Sequence, residues 1–91
     1  MEYAANGMYR YRQLADLHKA LAHPVRLQIL HILAQGEACV CHITAVLQMR
    51  QPYVSQQLGV LRDAGVVVAR REGTLMHYGL HDARTAGILA L

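Results

Sequence analysis

The chain of 91 residues contains no Phe and no Trp, and it has only two cysteines and two prolines. Without those large aromatic side chains, the core must be built from Leu, Val, Ile, Ala and Met. No apolar run reaches the roughly 18 residues that a membrane span needs, and the start of the chain, from Met1 to Ala4, does not resemble a signal peptide. We therefore expect one small cytoplasmic domain with no membrane partner.

Acidic residues are also scarce: six Asp and Glu face nine Lys and Arg, which gives a formal net charge of +3. The imbalance is concentrated between Gln48 and Arg71, where the only acid is Asp63 and the basic residues are Arg50, Arg62, Arg70 and Arg71. A local excess of positive charge is typical of proteins that bind nucleic acid, although it does not require such a partner.

Patterns of residues that support catalysis are missing. The sequence shows no Ser/His/Asp set, no paired carboxylates and no glycine-rich phosphate loop. A small thiol-disulfide enzyme is the remaining catalytic alternative, but the chain has neither a Cys-x-x-Cys motif nor a βαβ pattern. We predict that the protein is not an enzyme and uses no organic cofactor.

Apolar residues recur at helical spacing along most of the chain, and β-prone runs follow near its end. The order α-α-α-α-β-β-α predicts an α+β, mainly helical, winged helix-turn-helix domain over residues 13–91, preceded by a partly disordered arm over residues 1–12. The predicted elements are helices from Gln13 to His23-Pro24, from Pro24 to Gln35-Gly36, over Cys41–Leu47 and over Pro52–Ala64, strands Val66–Arg71 and Thr74–Leu80 about Glu72-Gly73, and a last helix from Asp82 to Leu91.

The fourth predicted helix has one apolar face and one face that is polar but nearly uncharged. Glutamine pairs with adenine through two hydrogen bonds in the major groove, and arginines beside a reading helix hold phosphates. A solvated helix that is polar by accident is the alternative, but such helices usually carry Lys and Glu pairs. The predicted DNA-contacting residues are Arg50, Gln51, Tyr53, Ser55, Gln56, Gln57, Arg62, Arg70, Arg71 and Thr74.

Both cysteines lie in the stretch Ala38-Cys39-Val40-Cys41-His42, at the predicted start of the third helix. A helix N-terminus favours the thiolate form, which ligates metals. Side chains at i and i+2 point to the same side of an extended backbone, so both sulfurs can reach one ion. Redox or sulfur sensing through a strained, easily reduced disulfide, and inert thiols without a role, are the alternatives.

Four motifs give the chain a specific resemblance: LAHPVRLQIL, CVC, QPYVSQQLGVLRDAGVV and REGTLMHYGL. Over about Leu17 to Leu80 the sequence resembles the ArsR/SmtB family of metal-sensing bacterial repressors. The resemblance implies a homodimer, joined through its terminal helices, that binds a pseudo-palindromic double-stranded operator and releases it when an inducer arrives.

The same resemblance implies that Cys39 and Cys41 are inducer ligands. His42 replaces the usual acid of the family signature and becomes a third candidate ligand, while Thr44 stands where arsenite sensors carry another cysteine. The inducer expected is As(III), Cd, Pb or Zn, with further ligands from outside the subunit or from its partner. Only Asp82 matches the family's other metal site, so we expect that second site to be absent.

Overall fold

The computed structural model describes residues 3–82, with side chains from Gly7 onward. Four helices and three strands follow one another in the order that a winged helix-turn-helix requires, and the helix predicted from Asp82 to Leu91 lies almost wholly outside the described residues. The elements are α1 (Tyr3–Leu21), α2 (Pro24–Ala34), β1 (Ala38–Cys39), α3 (Val40–Leu47), α4 (Gln51–Asp63), β2 (Val67–Glu72) and β3 (Leu75–Leu80).

The first helix begins at Tyr3, so the predicted start at Gln13 was wrong. Met8, Tyr9 and Tyr11 are all exposed, which means that this part of α1 buries no apolar stripe and leaves no periodic signal in the sequence. That residues 1–12 act as a separate arm stays a prediction.

The boundary between α1 and α2 is set by the pair His23-Pro24. Pro24 occupies the first turn of α2, where its missing N–H costs nothing. His23 is the N-cap, and its ring Nδ1 accepts a hydrogen bond from the backbone N–H of Val25 at 3.2 Å. This histidine therefore has a structural role as a helix cap.

The wing is a three-stranded antiparallel sheet in the order β1-β3-β2, not the two-stranded hairpin predicted. Strands β2 and β3 pair from Val67 with Leu80 to Glu72 with Leu75, which places the two-residue turn at Gly73-Thr74, one residue later than predicted. Gly73 has a φ of +64°, a value that glycine adopts without steric cost. The strand that was not predicted, β1, contains only two residues, which are too few to show an alternation of apolar and polar residues in the sequence.

The core lies between α2, α3, α4 and the sheet, and it is almost entirely aliphatic, as the composition predicted. Burying one such side chain is worth about 1.5–3 kcal/mol, so these contacts fix how α4 lies on α2 and α3. None of the described helices is both long enough and apolar enough to cross a membrane. The buried core residues are Ile29, Leu30, Leu33, Ile43, Val54, Leu58, Leu61, Val66, Val67 and Tyr78.

Candidate DNA interface and thiol site

A tight three-residue turn, Gln48-Met49-Arg50, joins α3 to α4 and confirms the predicted helix-turn-helix. Gln48 adopts the left-handed conformation, with φ 55° and ψ 42°, and its N–H donates to the carbonyl of Thr44. Helix α4 begins at Gln51 with Pro52 in its first turn. The turn thus reverses the chain within three residues and brings the start of α4 beside the end of α3.

The N-terminal half of α4 presents polar side chains to solvent. Gln51 and Gln56 are exposed, Tyr53 is 37% exposed, and Ser55 is half-buried. Residues near the N-terminus of the second helix are those that reach base edges in helix-turn-helix proteins. The placement of these four residues suits base contact, and the contact itself stays a prediction.

Gln57 does not belong to that exposed face, so its predicted placement beside Gln56 was wrong. The side chain is 6% exposed. Its Oε1 accepts a hydrogen bond from Nε of Arg26 at 2.8 Å. The signal was present in the sequence, because Val54, Gln57 and Leu61 follow the i, i+3, i+7 spacing of an inward stripe.

The predicted phosphate-binding arginines occupy three elements around α4. Arg50 lies in the turn, Arg62 in the last turn of α4 and Arg71 on β2, and all three are exposed. Thr74 is exposed in the wing turn. All four side chains are therefore accessible to a partner, and phosphate contact by the three arginines stays a prediction.

Arg70 differs from the other arginines because two carboxylates already hold it. Its guanidinium forms an ion pair with Glu37 and a second one, at 3.1 Å, with Glu72. The hydrogen bond from Arg70 keeps the pKa of Glu37 below its usual value, and the bonds to Glu37 and then Glu72 raise the pKa of Arg70. The pair is therefore charged at neutral pH, and the carboxylate of Glu37 offsets positive charge that Arg70 would otherwise offer to a phosphate. This contact joins residues 33 positions apart, so no local pattern predicts it.

The two cysteines lie where β1 meets α3. Cys39 is the last residue of β1 and the N-cap of α3, and its Sγ accepts a hydrogen bond from the N–H of His42 at 3.2 Å. Cys41 is exposed in the first turn of α3. A disulfide joins them, with 5.3 Å between their Cα atoms. The sulfurs converge, as their spacing predicted, and the closed loop contains only Val40, so the bond constrains the unfolded chain little.

The reduced pair supplies two soft sulfur donors, which suit thiophilic ions. Within residues 3–82, no three His, Cys, Asp or Glu side chains gather to hold a metal. His42 is therefore not brought together with the two sulfurs, and its ligand role stays a prediction. A metal held by this chain would take two thiolates here and complete its three or four ligands from elsewhere.

The thiol segment is connected to both parts of the candidate DNA interface. Through Cys39 it continues into α3, the supporting helix of the helix-turn-helix. On the other side, Cys39 pairs with His77 of β3, and Glu37 holds Arg70 of β2. A change in bonding at the sulfurs could thus be transmitted through α3 to α4, and through β1 to the strands β2 and β3.

Comparison with known proteins agrees with this arrangement. The family model described as "Bacterial regulatory protein, arsR family" matches residues 23–68. The chain is 48% identical over 80 residues to the biofilm growth-associated repressor of Agrobacterium fabrum, covering 88% of this chain and 68% of that protein. It is 41% identical over 64 residues to an arsenic resistance transcriptional regulator of Pseudomonas putida, covering 69% and 50%.

A solved structure gives the same fold. The homodimeric winged helix-turn-helix DNA-binding domain of a Mycobacterium bovis protein, determined by solution NMR, superposes with a TM-score of 0.89 at 38% identity. The superposition covers 96% of this chain and 81% of that one. The likeness thus extends beyond the helix-turn-helix to nearly the whole domain.

Proposed function

This chain belongs to the arsR family of bacterial regulatory proteins, and we propose that it is a homodimeric repressor whose hold on operator DNA is controlled by chemistry at Cys39 and Cys41. It is a DNA-binding transcriptional regulator and not an enzyme. The dimer would act in the cytoplasm and place one α4 in each of two successive major grooves, whose centres lie about 34 Å apart.

The observation that carries the sensing proposal is the convergence of both sulfurs at the N-terminus of α3. Cys39 caps this helix through a sulfur that is joined to Cys41, so breaking the disulfide or binding an ion would change the charge and position of the capping atom. Helix α3 packs through Ile43 into the core that also holds α4. A ligand that favours one arrangement of the cap therefore biases the position of the reading helix.

The first candidate inducer is a thiophilic metal or metalloid: As(III), Cd, Pb or Zn. Two thiolates at the N-cap and in the first turn of one helix suit a soft ion, and the Pseudomonas putida relative is an arsenic resistance regulator. When bound, such an ion would supply two strong bonds to sulfur. The coupling needed to release a promoter is modest, about 1–3 kcal/mol between the two binding events.

The second candidate is a redox or sulfur signal, and the disulfide between Cys39 and Cys41 favours it. Oxidation by a peroxide would convert two thiols and one peroxide into one disulfide and two waters. A bond between the sulfurs would remove both thiolates, so oxidation and metal capture exclude each other at this site.

The test is release of a fluorescent promoter fragment from the reduced protein on addition of As(III), Cd(II), Pb(II), Zn(II), peroxide or polysulfide. We expect at least one agent to weaken binding by about 5- to 150-fold, and Cys39→Ser plus Cys41→Ser to abolish that response. His42→Ala serves as the matched variant, because it leaves both sulfurs in place and removes the third candidate ligand.

Mass spectrometry separates the two candidates. If a disulfide causes the release of DNA, the mass of the protein falls by that of two hydrogens. If an ion causes it, native spectra show the protein with the metal still bound. If the double serine variant still releases DNA with every agent that acts on the wild type, the cysteines are not the sensor.

A further inference from the structure

Gln57 is the only buried polar side chain among residues 7–82, and it lies on the helix that we propose reads DNA. A buried amide costs free energy unless it is hydrogen-bonded, so a core position at this site would ordinarily be apolar. The neighbours Val54, Leu58 and Leu61 on the same face are apolar and fully buried. The gain from burying apolar surface does not explain why a polar side chain occupies this core position.

The partner of the amide comes from a different helix. Arg26, in the first turn of α2, donates from Nε to Oε1 of Gln57 at 2.8 Å. Its Nη1 donates to the carbonyl of Ala20 in the last turn of α1 at 3.3 Å. One guanidinium thus joins the end of α1, the start of α2 and the middle of α4. Hydrogen bonds from a charged donor are about twice as strong as neutral ones.

Directionality distinguishes this contact from the apolar packing around it. The apolar contacts that Val54, Leu58 and Leu61 make with the rest of the core are non-directional, so they tolerate small rotations of α4 about its axis. The bond from Arg26 to Gln57 does not, because hydrogen bonds weaken steeply when their angle falls. Each residue advances a helix by about 100°, so fixing Gln57 inward fixes where Gln56 and Tyr53 point.

We infer that Arg26 is a positioning residue for DNA reading: through Gln57 it sets the rotation of α4 and ties that helix to the end of α1. This inference rests on the reading role of α4 proposed above. Arg26 itself is half-buried beneath the exposed face and need not touch DNA. Its effect should fall on selectivity between sequences more than on general attraction to DNA.

The experiment uses the reduced full chain with a duplex selected from a random pool and a scrambled duplex of the same length. Gln57→Leu leaves net charge unchanged and suits a buried site. We expect it to weaken binding to the selected duplex by roughly tenfold, the cost of about one mismatched base pair, with scrambled binding unchanged. Gln57→Glu keeps an acceptor for Arg26 and should keep most of the selectivity.

Arg26→Met combined with Gln57→Leu guards against misfolding, because replacing both partners of the Arg26–Gln57 bond by apolar groups of similar shape costs little stability, and the carbonyl of Ala20 loses only one long hydrogen bond of 3.3 Å. This double variant should melt near the wild-type temperature yet lose selectivity like Gln57→Leu. Wild-type selectivity in a folded double variant would overturn the positioning role while leaving the proposed function intact. A wild-type chain that selects no duplex would overturn both.

Discussion

At the scale of single residues, the carboxylate of Glu37 would compete with DNA phosphates for the guanidinium of Arg70 if this arginine binds DNA as predicted. Both side chains are about half exposed, at 43% and 52%, so salt and water screen their attraction. The pair therefore adds little to folding, and we expect its main effect on DNA binding. Because Arg70 lowers the pKa of Glu37, the pair is complete above the ordinary carboxyl range and is lost only as pH falls through the lowered value.

Replacing Glu37 by Gln should strengthen binding to DNA of any sequence. The change removes one of the two carboxylates that hold Arg70, which favours one more phosphate contact and steepens the dependence of log affinity on log salt by about one unit. Fluorescence anisotropy with a scrambled duplex at several salt concentrations measures that slope. Asp16→Asn is the matched control, because it removes one exposed negative charge from α1, away from the wing. Equal slopes for the two variants would show that Arg70 gains no phosphate when Glu37 is neutralised.

At the scale of elements, the turn between α3 and α4 depends on one residue in an unusual conformation. Gln48 is the only non-glycine residue with positive φ among those described, and a side chain in this region meets the following carbonyl. Its N–H nevertheless satisfies the carbonyl of Thr44 at the end of α3. The geometry of the turn is thus maintained at a local cost.

Gln48→Gly should stabilise the protein by about 0.5–1 kcal/mol, because glycine adopts this conformation without the steric penalty. The same substitution at Gln35 provides the control. Gln35 ends α2 with φ −80° and ψ −14°, where glycine gains nothing and loses more chain entropy, so Gln35→Gly should destabilise by a similar amount. Urea unfolding midpoints, compared at constant slope, give both values. Changes of the same sign in the two variants would contradict the conformational argument.

The elements also show what a sequence pattern can and cannot reveal. Helices α2 to α4 were predicted to within one or two residues, because each buries an apolar stripe and is bounded by Pro or by a turn. The strand β1 was missed, since its two residues are ordered by pairing with Tyr78 and His77 rather than by any local preference. The early start of α1 was missed for another reason, since its stretch from Met8 to Tyr11 is exposed and has no buried apolar face.

The candidate site was predictable to the extent that it depends on local geometry. The place of Cys39 and Cys41 at the start of α3 follows from neighbouring residues alone. Gln57 was misplaced because its polarity was given more weight than its spacing, and its partner Arg26 is 31 positions away. Glu37 was missed because its partner is also distant in sequence, and the contact with Arg70 forms only once β2 and β3 have folded against β1.

At the scale of the whole molecule, the fold is elongated, with extents of 51, 27 and 23 Å and a radius of gyration of 14.7 Å. A globular chain of this length would have a radius of roughly 12 Å. Helix α1 carries exposed apolar side chains, including Met8, Tyr9, Tyr11 and Leu14. A small chain that leaves such a surface uncovered gains stability by burying it against a second copy, which supports the proposed dimer.

Leu14→Glu should separate that dimer into monomers. Leu14 is 43% exposed in the monomer, and two-fold symmetry would bring two new carboxylates into one apolar interface. Sedimentation velocity at micromolar concentration should show a monomer in place of the dimer.

Each monomer would then bind only one half-site, so the affinity for a selected two-site duplex should fall by roughly 100-fold or more. Val68→Glu is the control for the sedimentation measurement, because Val68 is 47% exposed but lies on β2 of the wing and not on α1. If the Leu14→Glu protein sediments as a dimer like the wild type, the interface lies on another surface. The spacing of the two α4 helices would then be set by that other surface.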